Sequence, residues 1–174
     1  MKKCSTFFIK GSVILMIFAS SNPSFPLAFF AFIAFEYNFS FTSSVEAHGN
    51  INSLLCKNAD SVIYLPTHCY IYLFANCSSL VTAPEFPATE LSPYCYYSTF
   101  RYCQSLVTAP KLPATTLIRD CYISMFYGCT SLETAPPSLT ANIAWNNCYR
   151  EMFRDCTSLK TALMFSICIT QATE

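Results

Sequence analysis

Cysteine is the residue with the most chemistry to offer in this chain, which carries eleven in 174 residues. Thiols in such number pair as disulfides, hold a metal, serve as nucleophiles or fill a core, and spacing decides among these. Cys69, Cys95, Cys121 and Cys148 recur at a nearly constant step of about 26 residues, the last step one residue longer than the others. Each is followed eight residues later by a second thiol, Cys77, Cys103, Cys129 or Cys156. Zinc ligands come in closer pairs such as Cys-x-x-Cys, and none exists here. A nucleophilic thiol needs an imidazole beside it. His68 precedes Cys69, but sequence neighbours on a helix point in different directions and no other unit has histidine there, so His68 reads as a surface residue at a helix start. If Cys95 to Cys103 is helical, a rise of about 1.5 Å per residue parts its two thiols by about 12 Å, beyond the ~7 Å Cα limit of a disulfide. Neighbouring helices packed about 8 to 10 Å apart would keep successive units from bridging as well. The thiols therefore read as free, small apolar fillers. Glu85, Glu90, Asp120, Glu133, Glu151 and Asp155 fall at different positions of the unit, so no carboxylate pair is assembled for hydrolysis. No catalysis and no metal or cofactor is expected, a thiol hydrolase being the enzymatic alternative.

The elements that position these residues follow from the same period. Counting from the first cysteine, Tyr stands one residue on, Phe five, Cys eight and Leu eleven. These are Tyr70, Phe74, Cys77, Leu80; Tyr96, Phe100, Cys103, Leu106; Tyr122, Phe126, Cys129, Leu132; and Tyr149, Phe153, Cys156, Leu159. Steps of four, three and three trace one face of a helix. A helix of two to three turns is thus expected over Cys95 to Cys103 and its equivalents, too short to be stable without stacking. A very short strand fits the Val-Thr-Ala that follows, ended by Pro84, Pro110 or Pro136. The segment 112–117 reads as an extended return to the next helix. A fixed period of this size predicts a solenoid, α/β in class, of about four units of 26 residues, each a short helix plus a very short strand. Side chains one period apart should lie on top of each other, Phe74, Phe100, Phe126 and Phe153 in one column. Asn52-Ser53-Leu54 stands one period before Ser78-Ser79-Leu80 and reads as half a unit, an N-terminal cap.

The array spans residues 52–163. Residues 1–35 differ in character: Met1-Lys2-Lys3 precedes an apolar run, and no charge occurs from Gly11 to Phe35. They read as a signal peptide, with membrane anchoring through residues 7–35 and a truncated or misassigned start as the alternatives. Residues 36–51 form a polar junction and 164–174 a degenerate C-terminal tail. Zero formal charge with 11% charged residues leaves no basic field for nucleic acid. A 53% hydrophobic composition is far from that of a disordered chain.

The unit Cys-Tyr-x-x-Met-Phe-x-x-Cys-Thr-Ser-Leu-x-Thr-Ala, clearest at Cys121 to Pro136 and Cys148 to Ala162, resembles the repeats of the BspA-like leucine-rich repeat surface-protein family. Glu46-Ala47-His48-Gly49-Asn50-Ile51 also resembles the lead-in to such arrays. Two departures stand out: the unit is longer than the family's usual one, and the pattern dissolves after Ala162. The resemblance implies a right-handed leucine-rich-repeat-type solenoid, secreted or at the cell surface, that mediates adhesion or protein binding, its partner a host or microbial surface protein or glycan. The alternative is a structural spacer or a truncated fragment of a larger surface protein. The candidate binding face is the set of outward, variable positions Tyr72, Tyr97, Arg101, Tyr102, Tyr127, Arg150 and Arg154, since Tyr and Arg are favoured at interfaces.

Overall fold

The computed structural model describes residues 8–10, 44–54, 59–137, 139 and 141–160. Two small sheets carry the regular pairing. In the first, β1 (Phe8–Lys10) runs antiparallel to β2 (Val45–His48), which runs parallel to β3 (Leu80–Thr82) across a register shift at Val45/Glu46. In the second, two-residue strands β4 (Tyr64–Leu65), β5 (Glu90–Leu91), β6 (Thr116–Leu117) and β7 (Ile143–Ala144) pair in parallel, in that order. The register Leu65↔Leu91, Leu91↔Leu117, Leu117↔Ala144 sets residues one period apart side by side, the added residue of the last step included. The Thr-Ala segments are held together by single parallel bridges, Thr82↔Thr108 and Thr108↔Thr134. Pairing thus concentrates in the return segments, and only one Val-Thr-Ala site forms a strand among the described residues.

The largest correction concerns the helices. Among the described residues none is in an α-helix, and regular pairing is limited to small parallel strand pairs and one antiparallel pair; the right-handed, leucine-rich-repeat-type solenoid of helix-plus-strand units is not the fold found. The segments expected as helices are runs of consecutive turns whose backbone hydrogen bonds alternate. In one set the N–H reaches back three residues, as in Thr99 to Tyr96, Arg101 to Ser98 and Cys103 to Phe100. In the other it donates to the next unit, as in Ser98 to Ile123 at 2.9 Å, Phe100 to Met125 at 2.9 Å and Tyr102 to Tyr127 at 2.8 Å. Tyr94, Ser98 and Tyr102 of the second set adopt the left-handed region, at φ 61, 51 and 60, as does Tyr96 at φ 60, whose N–H donates back to Cys69 of the preceding unit.

Two physical reasons favour this over helices. A helix of nine residues satisfies few of its own backbone groups and is marginal in water. Helices also pack about 8 to 10 Å apart, whereas paired strands lie about 4.8 Å apart. Identical flat rings repeated once per unit stack best at the second distance. The Phe74, Phe100, Phe126 and Phe153 rings follow one another at 5.3, 5.5 and 5.5 Å, within 9° of coplanar. Beside them the Tyr70, Tyr96, Tyr122 and Tyr149 rings are spaced 5.9, 5.8 and 5.9 Å. Phe86 closes on both columns edge-on, 5.0 Å from Tyr96 and 5.4 Å from Phe100. With Leu65, Leu91 and Leu117, and with Leu80, Leu106 and Leu132, these residues form the core, Tyr149 and Phe153 being only partly buried against it.

Asn50 and Asn52 are buried at one end of the core. Asn52 donates to the Val62 carbonyl, and its side-chain oxygen and the Ile51 carbonyl accept from the Tyr70 hydroxyl. Within the expected cap, Ile51–Leu54 is a single 3₁₀ turn. Residues 1–7 and 11–35 of the expected export or anchoring segment, residues 36–43 of the junction and the 164–174 tail lie outside the described residues. Among those described, no helix is long and apolar enough to cross a membrane.

Candidate binding face

In each run of turns buried side chains alternate with outward ones. Cys95 and Tyr96 are buried, Tyr97 is half-buried, Ser98, Thr99 and Phe100 are buried, Arg101 is half-buried, Tyr102 is exposed, and Cys103 is buried again. Outward positions two and six residues after the first cysteine therefore share a face, and units in parallel register bring their outward residues together. Arg101, Tyr127 and Arg154 all occupy the sixth position in successive units. The Arg101 guanidinium lies 4.7 Å from the centre of the Tyr127 ring and that of Arg154 lies 5.7 Å from it, so one tyrosine is held between two cations. Tyr102 meets Tyr127 edge-to-face at 5.3 Å and carries Arg101 at 5.1 Å. Tyr72 meets Tyr97 in the same manner at 5.4 Å.

Electrostatics tie the group together. The Arg101 guanidinium beside the Tyr102 hydroxyl pulls that phenol below its ordinary pKa, while the Asp155 carboxylate at the Tyr127 hydroxyl pushes Tyr127 up. Tyr97 is raised mainly by its hydrogen bond with Tyr72, and the charges of Arg101 and Arg150 act against that rise. All seven residues expected on a binding face, Tyr72, Tyr97, Arg101, Tyr102, Tyr127, Arg150 and Arg154, are thereby joined through direct contact or charge. Gly128 makes room for the group. It sits at φ 70, and a Cβ there would come within 2.6 Å of two Tyr102 ring carbons, so only glycine lets that ring lie flat across the backbone.

The other outward positions form separate features. Glu133 and Lys160 pair at 2.7 Å, both substantially exposed, a contact of little energetic weight. His68 stacks on Tyr94 at 4.9 Å, and Arg119 covers Tyr94 at 5.6 Å and donates to its hydroxyl at 3.4 Å. That second aromatic–cation cluster escaped the sequence reading, although His68 and Tyr94 are one period apart and the period signals their stacking.

The thiols line the interior in two rows. Cys103, Cys129 and Cys156 donate at 3.0 Å to the carbonyls of Phe74, Phe100 and Phe126, each one unit back. Burial pushes Cys77, Cys95 and Cys156 up to about 11, and Cys103 well above its ordinary value. All eight described cysteines are free. Among the described residues no three or more metal-ligating side chains cluster.

Compared with protein-family models, with curated proteins and with solved structures, the chain matches none.

Proposed function

We propose that the chain is a non-catalytic binding protein, exported or held at a cell surface, which engages a macromolecule through the Tyr/Arg face. The observation that carries this reading is the gathering of four tyrosines and three arginines from four successive units onto one surface. Arginine over an aromatic ring, flanked by further tyrosine edges, is the composition that dominates binding hot spots. The resemblance of the repeat to BspA-like surface proteins supports the same reading by analogy, and points to a host or microbial surface protein or glycan as partner. The test is capture by the purified chain of host glycoproteins and of bacterial surface extracts, side by side with an Arg101→Ala/Tyr127→Ala variant of unchanged circular dichroism. Weakening by about tenfold or more in the variant is expected. Capture of nothing by the parent would leave a spacer as the better reading, and capture indifferent to the variant would remove this face from it.

A further inference from the structure

The parallel pairing removes the reason for excluding disulfides between units. Strands about 4.8 Å apart fall inside the Cα window of about 4.4 to 6.8 Å for a disulfide, where packed helices do not. Cys121 and Cys148 each stand four residues after a paired strand residue, Leu117 and Ala144, so they enter their runs of turns in register. Their thiols share one oxygen: Cys121 Sγ lies 2.8 Å and Cys148 Sγ 3.1 Å from the Ile118 carbonyl, while Cys121 also reaches the Ser92 carbonyl one unit back at 3.3 Å. Among the described residues the other neighbouring thiols reach separate acceptors. In the second row these are Phe74, Phe100 and Phe126 in turn, and Cys95 approaches Pro66 at 3.1 Å.

We infer that Cys121 and Cys148 are a cross-linking pair, joined across adjacent units by thiol–disulfide exchange with a small oxidised disulfide. Cys148, as thiolate, attacks one sulfur of the reagent RSSR, forming a mixed disulfide and releasing RS⁻. Cys121 then gives up its proton to solvent and attacks the Cys148 sulfur, releasing the second RS⁻. Two protein thiols are oxidised and one external disulfide is reduced to two thiols. The hydrogen bond between the two side chains supports these roles: it lowers Cys148 and raises Cys121, so Cys148 is the one to ionise first. Both residues are buried, at 0% and 2% exposure, so the reaction waits on opening between the two units.

The experiment treats the reduced, folded chain with excess oxidised glutathione near pH 8, then blocks remaining thiols, digests and maps. Expected are the loss of two thiols per chain, a cross-linked peptide joining Cys121 to Cys148, and a thermal midpoint raised by several degrees that dithiothreitol returns to its starting value. Cys121→Ser and Cys148→Ser should each abolish the cross-linked peptide and Cys129→Ser should leave it. If these variants fail to fold, mapping of the parent still decides. A cross-link between other cysteines, a lasting glutathione adduct on Cys148, or an unchanged thiol count in a mild denaturant that loosens the chain would each overturn the inference.

Discussion

At Tyr70, the first of the stacked tyrosines, the phenol meets the cap and gives its proton to the Ile51 carbonyl at 3.1 Å and to the Asn52 side chain at 3.3 Å. In the middle of the same column, Tyr96 and Tyr122 are as deeply buried and stack as evenly, yet among the described residues their hydroxyls have no hydrogen-bond partner. Repetition serves groups that gain from lying on a copy of themselves, such as rings. It does nothing for these hydroxyls, because a ring spacing of 5.8 Å holds each one beyond hydrogen-bond reach of its copy. Only an end, where the sequence is free to change, supplies the missing acceptor.

Predictions follow the contrast between middle and end. Phe126 is fully buried between two rings, each 5.5 Å away, whereas Phe153 at the far end of the described column is only partly buried. Phe126→Ala should destabilise by about 3 to 5 kcal/mol, Phe153→Ala by less, as read from denaturant midpoints. A Phe126→Ala melt matching the parent would refute the packing.

Alkaline pH should act next. Cys77, Cys95 and Cys156 titrate at about 11 in the folded chain, above the ordinary thiol value of 9.0. A folded pKa above the unfolded one means that these thiols' contribution is intact below pH 9.0 and is lost as pH climbs through about 11. The thermal midpoint should therefore fall across that window, and Cys77→Ala should flatten the fall.

The smallest effects are the most diagnostic. Tyr70→Phe leaves the Asn52 oxygen without this donor and should destabilise by about 1 kcal/mol. Tyr96→Phe or Tyr122→Phe removes only a hydroxyl that bonds to nothing, and should leave stability unchanged or raise it by about 1 kcal/mol. Equal losses at all three sites in a thermal melt would contradict the contrast.

The sequence carried the unit length and the stacked Phe and Tyr columns, because each depends only on which residues recur one period apart. It misled on backbone conformation. In these turns the large buried side chains recur every four residues, as at Cys95, Tyr96, Thr99, Phe100 and Cys103, and over two turns that is close to the roughly 3.6 of a helix. Side-chain spacing alone does not separate the two. The left-handed residues gave little compositional warning either, since Tyr, Ser, His and Glu stand beside Asn and Asp at positions where glycine is the usual choice. The eight described cysteines are free, as the spacing led one to expect, but the helix separations used to argue it do not apply to units that pair as strands.

Those left-handed residues bear on how the molecule comes into being. Each holds a conformation that an L-residue avoids by about 1 to 2 kcal/mol, and at positions such as Tyr72, Ser98 and Ser124 what offsets it is the amide bond to the next unit. A synthetic peptide of a single unit should therefore be unable to rehearse its final shape, and growth must begin from two units that meet at once. Circular dichroism of such a peptide, alone and tethered in tandem, would show whether ordering starts only with the second copy.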